Sequence, residues 1–109
     1  MVSRDVWRPR IPLSDSAIKA FCDKWQISEV WVFGSVLRDD FGPDSDFDVA
    51  IAYCDGVSWP WTGIPQITDE LAQLMGRPVD VGMRAAIDED RNPYRRNHIL
   101  KRITSLYAS

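Results

Sequence analysis

The pair Gly34-Ser35, followed by Asp46 and Asp48 on either side of Phe47, sets out the chemistry this chain is equipped for. A strand that ends in glycine and opens a helical turn leaves backbone N–H groups free to meet an anion. Glycine also lets a phosphate come close to the backbone. The Ser35 hydroxyl adds one hydrogen-bond donor, and Arg38, one helical turn further on, adds a positive charge. Asp46 and Asp48 lie two residues apart, so on a strand both carboxylates leave from one face. A third acid, Asp80, sits between Val79 and Val81 in a second strand-like segment. If the two strands are neighbours, the three acids converge. Two such charges about 5 Å apart at an effective dielectric of about 20 repel by roughly 3 kcal/mol. Three such pairs approach the whole stability of a small domain, so the acids must take up protons or hold a cation. Oxygen-only ligands suit Mg²⁺ or Mn²⁺. A phosphate cradle beside three metal-holding carboxylates is what metal-dependent nucleotidyl transfer needs.

The elements that position these residues follow from the pattern around them. Ser14 is a helix N-cap, with Ile18, Phe21, Cys22 and Trp25 behind it at helical spacing, so a helix is predicted over Ser14–Trp25. Ile27–Phe33 and Phe47–Tyr53 are rich in β-branched and aromatic residues and read as strands. Asp39–Ser45 and Cys54–Thr62 carry Gly and Pro and read as loops. Pro65–Met75 reads as a helix stopped by Gly76, and Val79–Gly82 as a short strand. Met83–Asn92 reads as a polar connection. Tyr94 to about Tyr107 reads as a final helix, with Ile99, Ile103 and Leu106 in one stripe, and residues 1–12 as an irregular lead-in. The expectation is one α/β domain over 1–109, a small mixed β-sheet with helices packed on it.

Composition sets limits on function. The 109 residues are 45% hydrophobic and 27% charged, an ordinary globular balance. No apolar run is long enough to span a bilayer, and the first residues lack a signal peptide's apolar core, so no membrane partner and a cytoplasmic location are expected. Cys22 and Cys54 match no metal or redox spacing and are expected as free thiols. All sixteen acids lie within residues 1–90, whereas residues 91–109 hold five of the thirteen Lys and Arg. The acidic body argues against direct nucleic-acid binding. His98, the single histidine, is expected on the surface or in packing, and Arg95 is the tail cation expected nearest the phosphates. Trp59 and Trp61 are expected in the core or at a protein contact, with stacking on a base as the other option.

Gly34, Ser35, Pro43, Asp44, Ser45, Asp46, Asp48 and Asp80 together resemble the minimal nucleotidyltransferases of the DNA polymerase β-like superfamily: strand, Gly-Ser, loop, Pro-Asp-Ser-Asp-x-Asp, later Asp. The closing Ile99–Tyr107 segment resembles the family's last helix, and the likeness covers nearly all of residues 14–108. Val36 stands where the family often has a base, and Asp39 and Gly42 where it often has Gly and Arg. The resemblance implies a polymerase β-like fold and transfer of AMP from ATP to a hydroxyl, with Mg²⁺ or Mn²⁺ on Asp46, Asp48 and Asp80. It implies nucleotide binding by Gly34, Ser35, Arg38 and Ser45. With no room for an acceptor domain, it also implies a separate helical HEPN-type toxin that this chain adenylylates on tyrosine, as an antitoxin. An aminoglycoside-type enzyme and a non-catalytic toxin-binding antitoxin are the alternatives.

Overall fold

A computed structural model of the chain describes residues 2–56 and 63–108. The elements follow in the order α1 (Arg4–Trp7), a 3-10 turn (Arg8–Arg10), α2 (Asp15–Trp25), β1 (Ile27–Phe33), a second 3-10 turn (Gly34–Leu37), β2 (Phe47–Tyr53), α3 (Ile64–Met75), β3 (Val79–Met83), α4 (Arg84–Asp88), α5 (Pro93–Arg102) and β4 (Thr104–Ala108). The four strands form one mixed sheet in the order β3-β2-β1-β4. β1 runs antiparallel to β2 and β4, while β2 and β3 are parallel and joined across α3. The expected α/β architecture is therefore present. Among the described residues no helix is long and apolar enough to cross a membrane.

The strand faces divide as the alternation requires. Val30, Val32, Phe47, Val49, Ile51, Val79 and Val81 turn into the core, where they join Ile18 and Phe21 of α2 and Ile67, Leu71 and Met75 of α3. The opposite face carries Asp48 and Asp80. α2 begins where Ser14 Oγ accepts the Ala17 N–H at 3.2 Å. α3 ends at Gly76, which takes the left-handed conformation that glycine adopts without a steric cost.

Three sequence expectations need correction. The final helix stops at Arg102, and Ile103 is extended, with φ −62° and ψ 133°. Residues 104–108 then pair with β1, so Leu106 is buried from a strand. A helix running to Tyr107 would leave the outer N–H and C=O groups of β1 unpaired among the described strands. The spacing of Ile99, Ile103 and Leu106 fits a helical stripe, and that coincidence concealed the strand. The connection after β3 contains the five-residue α4, which Ala85 and Ala86 favour and the Arg84–Asp88 ion pair spans at 3.3 Å. The lead-in is also more ordered than its prolines suggest. Pro9 sits at the start of a 3-10 turn, where its missing N–H costs nothing, and Trp7 and Ile11 are buried. Cys22 and Cys54 are free thiols, as expected. Residues 57–62, including Trp59 and Trp61, lie outside the described residues.

Candidate functional site

Asp48 is the centre of the arrangement. It is the second residue of β2, paired with Phe33 at the end of β1 on one side and with Asp80 of β3 on the other. Residues in register on adjacent strands share a face, so β2 and β3 set the Asp48 and Asp80 carboxylates side by side. Asp46 lies just before the strand and is exposed. The Asp48 carboxyl is pushed above the ordinary aspartate range, first by burial, then by the negative charges of Asp80 and Asp46, with Arg38 pulling weakly the other way. The other two acids named from the sequence thus both act on Asp48.

Gly34 follows Phe33 and has φ +76°, a conformation strained for any other residue. A Cβ placed on it would stand 3.1 Å from Asp48 Cγ and nearer still to Oδ2. The turn and the carboxylate are in contact because residue 34 has no side chain. Ser35 Oγ donates to the Asp46 carbonyl oxygen at 3.3 Å, which links the turn to the acidic segment. Ser45 is used differently. Its hydroxyl accepts the Gly42 N–H at 3.0 Å and its own N–H returns to Gly42 O at 3.1 Å, closing the loop that leads into Asp46.

A cavity of about 210 Å³ opens beside this cluster, lined by Phe33, Gly34, Leu37, Arg38, Asp48, His98, Ile99 and Arg102. One wall is a carboxylate and the others offer Arg38, His98 and Arg102. Arg38 also holds Asp40 at 3.0 Å. Arg95, the tail cation expected here, is instead paired with Asp90 at 2.7 Å. The sequence reading placed His98 in no site and gave Arg102 no role. The signal was their separation of four residues, which sets both on one side of α5 next to Ile99.

The donor chemistry fits a hard divalent cation: carboxylate oxygens only, with one carboxyl whose ionised form is disfavoured until a positive charge arrives. Among the described residues no three such side chains are already drawn together as a closed cation site. The clustered acids are an open set on a sheet face.

Comparison with known proteins bears on family and fold. The sequence model of the nucleotidyltransferase domain matches residues 14–106. Among curated proteins none matches significantly. A solved structure described as a minimal nucleotidyltransferase is 25% identical, covering 96% of this chain and 97% of its own length, with a TM-score of 0.63. Another, of a toxin-antitoxin with AMP-PNP, superposes with a TM-score of 0.65 over 89% of this chain and 75% of that one. Its 14% identity makes it a likeness of fold.

Proposed function

The chain belongs to the nucleotidyltransferase-domain family, and from that premise we propose that it transfers AMP from ATP to a tyrosine hydroxyl of a helical, HEPN-type toxin and so acts as its antitoxin. The observation that carries the reading is the contact of Gly34 with Asp48, beside a cavity whose other walls carry Arg38, His98 and Arg102. A small-residue turn, a carboxylate cluster and a cationic wall meet at one place.

In this reading Asp46, Asp48 and Asp80 hold Mg²⁺ or Mn²⁺. The bound metal supplies Lewis acidity at the acceptor oxygen and charge neutralisation at the pyrophosphate. The remaining work falls to the chain itself. The backbone at Gly34 and Ser35 receives the β- and γ-phosphates, and Arg38 lends charge. The Ser35 hydroxyl has one proton, so donation to a phosphate requires it to leave the Asp46 carbonyl. The acceptor oxygen forms its bond to the α-phosphorus as the bond to the bridging oxygen breaks. The hydroxyl proton is released, and pyrophosphate leaves on the side of the cationic wall. Asp80, exposed on β3, would complete the site for the metal that activates the acceptor hydroxyl.

The partner is supported by the toxin-antitoxin likeness at the level of fold and by the resemblance of the Gly34–Asp48 motif to the minimal nucleotidyltransferases. Mass spectrometry of the co-expressed partner tests it. Wild-type chain should add one or more AMP masses on tyrosine, and Asp48→Asn should add none. If Asp48→Asn still protects cells fully, neutralisation is by contact alone. AMP on an aminoglycoside with none on the partner would favour the small-molecule enzyme.

A further inference from the structure

We propose that Arg77 and Arg10 are the positioning residues of this site, two guanidinium clamps that meet on the ring of Phe41 and fix the loop between Gly34 and Asp46. Arg77 follows the C-cap of α3. Its Nη1 donates to the carbonyl oxygens of Gly42 and Ser45, both at 3.0 Å. Its guanidinium lies 4.7 Å from the centroid of Phe41 and 5.1 Å from that of Phe47. Arg10 reaches the other half of the loop from the N-terminal segment. Its Nη1 donates to Val36 O at 3.0 Å and Arg38 O at 2.6 Å, and its guanidinium stands 5.3 Å from the Phe41 ring. The Val2 N–H adds a bond to Leu37 O at 2.9 Å. Arg10 precedes the matched domain, which begins at residue 14.

The physical reason is the length of chain to be held. Residues 38–46 form neither helix nor strand, and their carbonyl groups have no ladder to join. A free loop of that kind would let Asp46 wander relative to Asp48, which the sheet holds still. Arginine meets the need because its planar fork serves two carbonyls while its face rests on an aromatic ring. Neither arginine lines the cavity, so their effect on the reaction passes through Asp46 and the Gly34 turn.

This inference rests on the proposed metal-dependent reaction, and its test separates the two. In Arg77→Met the amide of Ser45, bonded to Gly42 O in the wild type, should exchange hydrogen at least tenfold faster. The Mn²⁺ dissociation constant of the free protein should rise about fivefold or more, and kcat should fall with the KM for ATP little changed. Arg77→Lys keeps the donor and loses the stacking, and it should recover part of the exchange protection and of the Mn²⁺ affinity. Arg10→Met should loosen residues 36–38 instead. Should Arg77→Met fold poorly, Phe41→Leu, which removes the shared ring and leaves both arginines, is read the same way. Unchanged loop exchange with unchanged Mn²⁺ affinity overturns the clamp. If the wild type binds no Mn²⁺ while the exchange effect holds, the metal assignment fails and the clamp stands.

Discussion

The carboxylate of Asp48 occupies the space that a side chain on residue 34 would need. Gly34 is constrained twice, by its φ of +76° and by Asp48 Oδ2 standing where a β-carbon would go. Turn and acid therefore form one unit, and a change at either is felt at the other.

Gly34→Ala should be destabilised by about 2 kcal/mol or more, since the left-handed backbone alone costs an L-residue about 1–2 kcal/mol. In a domain this size that lowers the Tm by roughly 10 °C. Asp48→Ala in the same chain should recover the part owed to the clash, with a coupling of about 0.5–3 kcal/mol. Thermal melts of the two single variants and the double variant measure it. Purely additive losses would mean that the two residues do not meet.

Asp48 sets a pH dependence of known sign. Its carboxyl is raised in the folded chain, so the folded state binds more protons than the unfolded one over the window above the ordinary aspartate value. Asp48 therefore costs stability at neutral pH, and the cost fades as pH falls towards about 4. Without metal, Asp48→Asn should melt higher than the wild type at pH 7, with the gap closing on acidification. Mg²⁺ or Mn²⁺ should raise the wild-type Tm and leave that of Asp48→Asn unmoved; about 2.7 kcal/mol is gained at a hundredfold excess over the dissociation constant. A wild-type melt indifferent to millimolar metal, with and without ATP, rejects the metal site.

Ser35→Ala removes the hydroxyl that would turn from Asp46 O to donate to a phosphate. A loss of about 0.5–1.5 kcal/mol in ATP affinity is expected, with ATP still competing far better than AMP. Competition binding with both nucleotides decides it, and equal binding of AMP and ATP would count against the phosphate turn.

Leu106 tests how far the C-terminal segment contributes to the core. Leu106→Ala should cost about 2–4 kcal/mol, as for a buried leucine, while Ser105→Ala, exposed on the same strand, should stay within about 0.5 kcal/mol. Denaturant unfolding compares them. Equally small losses at both positions would mean that Leu106 is not part of the core.

Cys22 should resist alkylation in the native state. Burial pushes its thiol up to about 12, which leaves roughly one molecule in ten thousand as thiolate at pH 8. Mass spectrometry after iodoacetamide, with and without denaturant, gives the contrast.

Much of the fold was legible because the deciding signals are local. Ile27–Phe33 and Phe47–Tyr53 were read with their observed bounds, since β-branched density and a closing Gly or turn fix such strands. The acid pair Asp48 and Asp80 was legible because each sits between valines or their like on a strand. What stayed hidden needs a third dimension. Residues 104–108 are extended because β1 offers an edge, a fact with no trace in their own sequence. Arg77 and Arg10 are ordinary surface arginines until the carbonyls of residues 36–45 come within reach. His98 comes to line one cavity with Asp48 only once α5 docks beside the Gly34 turn.

Asp80 has a second consequence through its place in the strand order. β3 is the outermost described strand on its side of the sheet, and its outer N–H and C=O groups can template another chain. An exposed negative charge at the second position of VDVGM, flanked by valines, has the character of a gatekeeper against that pairing. The acid proposed for the metal site is thus also placed to disfavour edge-to-edge pairing of copies at high concentration. A neutral replacement there should associate more readily at high concentration, which light scattering reads.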